Sequence, residues 1–202
     1  MNSAVIYLAH MNPMTKAHEA IISKLKGDYH VYVFPVRFIK GEREINTKSF
    51  PFPYELRKSM VESIYGDLVS VFPDYTFQAP YFRYLPPLLS SRSWELRNKI
   101  VAQIREDRFV SYTGDKAERF MLKAYRLNPI DAHRLVISAS SVKKELYRRA
   151  LEGGDDISWR EKLPESVVEI IEKNWGIVEK FARSEDRTIR MMGMKFPRDG
   201  YR

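Results

Sequence analysis

Short apolar runs recur along the chain and alternate with amphipathic helical patterns. The runs lie at 4–8, 31–36, 68–72, 109–112 and 135–137, and the helical patterns lie at 18–26, 54–65, 95–105 and 116–125. Nearly continuous apolar runs, without polar alternation, are typical of parallel strands buried on both faces. The alternation therefore predicts an α/β fold, a doubly wound parallel sheet with right-handed crossovers.

The last third of the chain is mostly helical in pattern. One helix is predicted over about 141–151, ending at Gly153-Gly154, and another over 165–174, beginning after Pro164. We expect one domain over 1–183, with a C-terminal helical extension from about residue 141. Residues 184–202 form a basic tail without periodicity, either a loose end or an arm that packs on a partner subunit.

Composition limits the classes of function. The 202 residues are 44% hydrophobic and contain no cysteine, which excludes disulfides and thiolate metal sites. Neither a membrane span nor a secretory signal is apparent, so we expect a cytoplasmic protein. The net charge of +8 suits an anionic ligand. A basic enzyme for phosphorylated substrates is preferred to a nucleic-acid-binding protein, because no Lys/Arg cluster dominates one segment.

The first apolar run leads through a tight polar loop into a helix. The loop contains His10 and Asn12-Pro13, and Thr15, Lys16 and His18 follow at the helix start. Free N–H groups and the helix dipole favour anions there, phosphate above all. The sequence therefore predicts a phosphate site at this junction, which we call the first junction.

A second strand-to-helix junction follows the last apolar run. Ser138, Ser140, Ser141 and Lys143 open the helix there. The serines can serve as ordinary N-caps, and capping and phosphate binding can coexist. Two such junctions in one small domain predict a nucleotide polyphosphate held between them.

The stretch 73–93 reads as an unusually long loop rich in aromatic residues. Tyr81, Phe82 and Tyr84 lie within it, together with Tyr75 and Phe77. Loops of this length in a compact domain are usually functional or partly disordered. The aromatic rings either cover the edge of the sheet or form a wall that stacks on a substrate ring. We take Tyr81, Phe82 and Tyr84 as candidates for acceptor binding.

Together, the two junctions resemble the motifs of the nucleotidylyltransferase superfamily, which includes cytidylyltransferases and the pantetheine-phosphate and nicotinamide-nucleotide adenylyltransferases. Asn12-Pro13, Thr15 and His18 match the first motif, and Ile137-Ser138, Ser140 and Val142 match the second. The segments at 151–154, 159–160, 163–168 and 176–179 look like the ending of archaeal-type nicotinamide-nucleotide adenylyltransferases, and 52–57 loosely resembles another family segment. The resemblance implies a Rossmann-like fold.

Several motif positions depart from the family. Ala9 and Ala17 replace glycines, Met11 replaces a phenylalanine and Lys143 replaces an arginine. Lysine keeps the charge but lacks the bidentate fork. The tryptophan segment that holds nicotinamide in the archaeal enzymes has no clear counterpart, so the acceptor stays open.

The resemblance implies attack of an acceptor phosphate on the α-phosphorus of a nucleoside triphosphate, with release of pyrophosphate and with Mg²⁺ on the phosphates. His18 and Thr15 would contact the triphosphate, and Ser138, Ser140 and Lys143 would hold the pyrophosphate. His10 and Lys16 would assist. Gly114-Asp115 resembles the position near the nucleoside, although Asp115 is equally an N-cap candidate.

Three functions follow from these expectations. The leading one is transfer of AMP from ATP to a phosphorylated small-molecule acceptor such as nicotinamide mononucleotide. A cytidylyltransferase that uses CTP and a phosphorylated alcohol or sugar is the close alternative. A nucleic-acid-binding protein that reuses the fold belongs to another class and is disfavoured by the intact His18, Ser140 and Lys143. Archaeal relatives are often oligomers, so a homo-oligomer is also expected.

Overall fold

The computed structural model describes residues 3–113, 116–130, 138–153 and 157–202. Its helices are α1 (Lys16–Leu25), α2 (Tyr54–Tyr65), α3 (Ser91–Ala102), α4 (Lys116–Ala124), α5 (Ala139–Glu152), α6 (Ser158–Glu161), α7 (Glu165–Lys173) and α8 (Trp175–Ala182). Its strands are β1 (Ser3–Ala9), β2 (His30–Pro35), β3 (Arg37–Lys40), β4 (Arg43–Glu44), β5 (Val69–Val71), β6 (Thr76–Gln78), β7 (Arg108–Tyr112), β8 (Pro129–Ile130), β9 (Thr188–Met191) and β10 (Met194–Pro197).

The central sheet has five parallel strands in the order β5-β2-β1-β7-β8. Val5 of β1 is in register with Val31 of β2 on one side and Val110 of β7 on the other. The chain leaves β1 toward β2 and β5, then returns to β7 on the opposite side. This reversal of strand order creates a crevice at the carboxyl ends of the strands, where ligands of such sheets bind.

Both faces of the sheet are covered, which explains the continuous apolar runs. Val5 and Tyr7 of β1 face a core that also contains side chains of α1, α2 and α5 to α8. Ala4 and Ile6 face the opposite core, with side chains of α3, α4 and β10. The predicted doubly wound α/β architecture is confirmed.

The stretch 73–93 is not the structureless loop that the sequence suggests. Thr76–Gln78 forms β6, which pairs with β3 in a small sheet of order β4-β3-β6. Short 3₁₀ helices follow at Tyr81–Tyr84 and Pro87–Leu89. Helix α3 begins at Ser91, because the Ser90 side chain caps it by accepting from the Ser93 N–H. Strands and turns this short leave little periodicity in a sequence.

The C-terminal tail packs on the domain as a hairpin of β9 and β10. Met192 and Gly193 connect the strands with φ of 48° and 81°, as a tight hairpin turn requires. Phe196 is 1% exposed and packs edge-on against Phe38 and Phe77. The predicted run at 135–137 lies outside the described residues. Within the described ranges, no helix is both long and apolar enough to cross a bilayer.

Candidate functional site

A cleft of about 560 Å³ opens beyond the carboxyl ends of β1 and β2. This volume is typical of small-molecule sites. Its walls come from five parts of the chain: the end of β1, the β3–β6 sheet, α3, α4 and the C-terminal hairpin. Its lining includes the side chains of His10, Phe38, Tyr75, Phe77, Met192, Met194 and Lys195.

His18 is oriented by the residue that begins its own helix. The Thr15 backbone N–H donates to His18 Nδ1 over 3.0 Å, and the Thr15 hydroxyl lies 2.9 Å from the same nitrogen. Because Nδ1 accepts, the neutral ring carries its proton on Nε2. Burial, followed by the charge of Lys143, lowers the pKa of His18 to about 4. At neutral pH His18 is therefore an uncharged N–H donor.

Thr15 has a different role from the one expected. Its side chain is 0% exposed, so it positions His18 and has no surface for a phosphate. Lys16 begins α1 with an exposed side chain, but its backbone N–H already donates to the Lys162 carbonyl over 3.0 Å. The first amide of the helix is thus used inside the fold.

Asn12 is a structural clamp. Its side-chain amide donates to the Phe52 carbonyl over 2.8 Å, and its side-chain oxygen accepts from the Phe52 N–H over 3.1 Å. Asn12 is 1% exposed, so these two bonds use the side chain that the sequence suggested for nucleotide binding. The clamp holds the loop in which the buried Met11 adopts a φ of 46°, a region unfavourable for a side chain of this size.

Arg57 holds the same loop from the other side. Its guanidinium donates to the carbonyls of His10 over 2.9 Å and Val36 over 2.7 Å, and it pairs with Glu44 at 3.0 Å. Arg57 is 2% exposed. The sequence offers one signal for it, the loose family resemblance of the segment that ends at this residue.

Lys143 joins the two junctions. Its ammonium group donates to the Asn12 carbonyl over 2.7 Å, across 131 positions of sequence. Burial, followed by the charge of Lys195, lowers the pKa of Lys143 to about 8. This bond ties the first turns of α5 to the loop that precedes α1.

Two serines of the second junction form hydrogen bonds at the start of α5, and the third is exposed. Ser138 caps α5 by accepting from the Ser141 N–H over 3.2 Å, and the Ser141 hydroxyl donates to the Ser138 carbonyl over 2.8 Å. Ser140 is exposed in the first turn of the helix. Gly114 and Asp115, the candidates for the nucleoside side, lie outside the described residues.

His10 and Lys195 line the cleft beside the first loop. The His10 ring stacks on Phe50 with centroids 4.6 Å apart and an interplanar angle of 6°. Desolvation, followed by the charges of Lys143, Arg57 and Lys195, lowers the pKa of His10, although the residue is exposed at the surface of the cleft. Lys195 comes from the hairpin, and the sequence held no signal for its presence here.

The aromatic candidates lie elsewhere than expected. Tyr81 is 0% exposed and stacks on Phe196, and Tyr84 is buried with its hydroxyl accepting from the Gln78 N–H over 3.1 Å. Phe82 is half exposed and lies away from the cleft. The C-terminal residues hold this segment in place, because the carbonyls of residues 200 and 201 accept from the N–H groups of residues 81 and 82.

Two other aromatic residues of the same stretch line the cleft instead. Tyr75 is half-buried there and Phe77 is buried behind it, with their ring centroids 5.4 Å apart. The stretch therefore contributes aromatic side chains to the cleft, but they are Tyr75 and Phe77 and not the three candidates. Tyr81 and Tyr84 are part of the hydrophobic core.

The charges of the site suit an anion such as phosphate. In the part of the chain that the structure describes, no group of three or more His, Asp or Glu side chains is arranged to hold a cation. The ammonium groups of Lys143 and Lys195 are located here instead.

Comparison with known proteins gives fold-level matches. No protein-family model and no curated protein matches the chain. A bifunctional NMN adenylyltransferase/ADP-ribose pyrophosphatase from Francisella tularensis, solved with AMP and a manganese ion, has a TM-score of 0.62 at 13% identity. The match covers 90% of this chain and 52% of that one, so the chain spans about half of the Francisella protein.

Two further matches span almost the whole neighbour. A nicotinate-nucleotide adenylyltransferase from Vibrio parahaemolyticus has a TM-score of 0.55 at 14% identity, with 89% of this chain and 97% of that one covered. Nicotinic acid mononucleotide adenylyltransferase from Plasmodium falciparum, complexed with NaAD, has a TM-score of 0.54 at 14% identity, with 88% and 98% covered. The chain thus has the fold of these adenylyltransferases.

Proposed function

We propose that this chain is a nucleotidylyltransferase that transfers AMP from ATP to the phosphate of an acceptor such as nicotinamide mononucleotide, with release of pyrophosphate. The observation that carries the proposal is the contact of Lys143 with the Asn12 carbonyl, which joins two helix starts beside an oriented His18. The fold shared with adenylyltransferases supports it. The C-terminal resemblance favours the archaeal-type branch.

The reaction needs little covalent chemistry from the protein. An oxygen of the acceptor phosphate forms a bond to the α-phosphorus, and the bond from that phosphorus to the oxygen bridging to the β-phosphorus breaks. The electron pair leaves with the pyrophosphate. The acceptor phosphate is already ionised at neutral pH, so no general base is required. Catalysis consists of positioning and of stabilising the developing negative charge.

Each residue of the site has a defined part in this scheme. His18 donates Nε2–H to an oxygen of the triphosphate, held in that tautomer by Thr15. The ammonium of Lys143 has three N–H donors, so it can bind the leaving pyrophosphate while keeping one bond to Asn12. Ser140 and the start of α5 add donors on the pyrophosphate side.

The acceptor occupies the cleft beside these groups. Tyr75 offers a partly exposed ring on the wall formed by β6 and its neighbours, and Phe77 supports it. A flat base or nicotinamide ring stacks favourably on such a surface. The surrounding methionines and aromatic side chains suit a ring better than they suit a small phosphorylated alcohol.

A panel of substrate pairs tests this function. The wild-type protein is incubated with Mg²⁺ and either ATP or CTP, together with nicotinamide mononucleotide, nicotinic acid mononucleotide, phosphopantetheine, phosphocholine or glycerol 3-phosphate. We expect pyrophosphate release to be fastest with ATP and a pyridine mononucleotide. Faster release with CTP and a phosphorylated alcohol would establish the cytidylyltransferase alternative. Release with none of the pairs would overturn the proposal.

A further inference from the structure

The C-terminal hairpin is one wall of the cleft. Its turn and its second strand contribute Met192, Gly193, Met194 and Lys195 to the lining. Phe196 fixes this strand to the domain from the opposite side, packed against Phe38 and Phe77. The basic end of the chain therefore carries a charged side chain into the interior of the candidate site.

Lys195 is held in place without an acidic partner. Its ammonium lies 3.3 Å from the Ser49 hydroxyl, and that hydroxyl donates in turn to Asp186 over 2.8 Å. In the ranges that the structure describes, no carboxylate forms an ion pair with Lys195. The neutral Ser49 hydroxyl fixes the position of the ammonium, and the Asp186 carboxylate lies one hydrogen bond further away, on the same hydroxyl.

Another nitrogen-bearing side chain, that of His10, lines the same cleft as Lys195. The charge of Lys195 lowers the pKa values of both His10 and Lys143. Like charges in a partly desolvated cleft repel one another unless an anion lies between them. The arrangement is therefore suited to an additional phosphate group.

The position of Lys195 indicates which of the two substrates of the proposed reaction, the triphosphate or the acceptor, supplies the phosphate that it binds. Lys195 and His10 line the cleft, whereas His18 and Lys143 stand at the two helix starts beside it. A phosphate held between Lys195 and Lys143 would lie at the boundary between the cleft and the helix starts. In the proposed reaction, the attacking phosphate of the acceptor lies at this boundary, between the cleft that holds the acceptor and the helix starts that hold the triphosphate.

We propose that Lys195 binds the phosphate of the acceptor and thereby makes the site specific for phosphorylated acceptors. This inference rests on the proposed function for the identity of the acceptor. The phosphate site itself rests only on the placement of the hairpin, Ser49 and Lys143.

The test uses the full chain, with Lys195→Met, the charge-keeping variant Lys195→Arg and the matched control Arg198→Met. Arg198 follows the same strand, is exposed and does not line the cleft, so its removal changes the net charge equally. Thermal melting verifies that each variant is folded. Titration with inorganic phosphate and steady-state kinetics with ATP and nicotinamide mononucleotide are then compared with those of the wild type.

We expect Lys195→Met to weaken phosphate binding about 10- to 150-fold and to raise the KM for the acceptor similarly, as loss of a charged hydrogen bond does. The KM for ATP should change by less than about threefold, and Lys195→Arg and Arg198→Met should resemble the wild type in both assays. An equal rise in the KM values for ATP and for the acceptor would overturn the inference. The same loss of phosphate binding in Arg198→Met would also overturn it.

The two proposals fail in different ways. If the wild type releases no pyrophosphate but Lys195→Met loses phosphate binding, the proposed function fails and the phosphate site at Lys195 stands. If the wild type is active and Lys195→Met keeps both phosphate binding and the acceptor KM, the inference fails and the function stands. Absence of phosphate binding to the wild type also overturns the inference.

Discussion

The two sides of the cleft are built in different ways. The proposed phosphate side consists of two helix starts whose important groups lie within a few residues of one another, as Thr15 and His18 do. The acceptor side is assembled from β6, α3, α4 and the C-terminal hairpin, which are far apart in sequence. Local motifs therefore define the proposed phosphate site, whereas the long-range packing of the chain defines what lies beside it.

The difference extends to how each side is held. On the phosphate side, Asn12, Arg57 and Lys143 fix one loop through hydrogen bonds to backbone carbonyls. On the acceptor side, ring packing around Phe38, Phe77 and Phe196 determines which tyrosines face the cleft. Directional bonds set a catalytic geometry closely, and apolar packing adapts more readily to different ring-shaped ligands.

The largest effect is expected at His18. His18→Ala should lower kcat by at least about 10²-fold, because one preorganised donor to the transition state is lost. The loss of the Thr15–His18 bonds should lower the free energy of unfolding by only about 1 kcal/mol. Turnover and thermal melting should be measured beside His30→Ala, which removes an imidazole paired with Glu106 outside the cleft. Near-normal turnover of His18→Ala would place the reaction elsewhere.

The next largest effect is expected at Lys143. Lys143→Ala should weaken pyrophosphate binding by about 1.5–3 kcal/mol, roughly 10- to 150-fold, because a charged hydrogen bond is lost. Lys143→Arg should retain most of the affinity where the pocket has room for the larger group. Calorimetric titration with pyrophosphate measures both. An unchanged affinity in Lys143→Ala would mean that the start of α5 is only a helix cap.

These two residues show how much the sequence could predict. The N-cap and the helix of each junction are encoded locally, so the two helix starts and the doubly wound sheet could be predicted from the pattern, and the roles of His18 and Lys143 stay predictions. Asn12 could not be assigned correctly, because its role depends on Phe52, which is 40 positions away.

The acceptor side was beyond sequence reasoning for the same physical reason. Tyr75 and Tyr81 look equivalent in a single aromatic stretch. Long-range contacts direct Tyr81 into the core: the hydrogen bonds of residues 81 and 82 to the C-terminus and the packing of the Tyr81 ring on Phe196. Strands of three or four residues, such as β6, β9 and β10, also leave too little periodicity to reveal the hairpin that supplies Lys195.

A pair of tyrosine substitutions sharpens this distinction. Tyr75→Ala should raise the KM for nicotinamide mononucleotide by about 5- to 150-fold, the range expected for loss of base stacking, and leave the KM for ATP nearly unchanged. Tyr81→Ala should instead lower the free energy of unfolding by about 3–5 kcal/mol, because it leaves a cavity in the core. Kinetics and thermal melting of both variants decide the matter. A raised KM for the mononucleotide in Tyr81→Ala, with only a loss of stability in Tyr75→Ala, would instead support Tyr81 as an acceptor-binding residue.

The smallest effect is a pH dependence on the phosphate side. The pKa of Lys143 is lowered to about 8, so its ammonium is charged below that pH and neutral above it. Pyrophosphate affinity should therefore fall severalfold between pH 8 and pH 9 in the wild type. Lys143→Arg stays charged across this range, so its affinity should change only through the titration of pyrophosphate itself. That titration affects both proteins equally. Identical profiles for the two proteins would show that Lys143 does not carry the effect.

The central claim is that the phosphate side and the acceptor side can be separated by single substitutions. Calorimetric titration of the wild type, Lys143→Ala and Tyr75→Ala with ATP and, separately, with nicotinamide mononucleotide tests it most directly. The account predicts that Lys143→Ala loses affinity mainly for ATP and that Tyr75→Ala loses affinity mainly for the mononucleotide. Equal loss of both ligands in either variant, or no binding of the mononucleotide to the wild type, would contradict it.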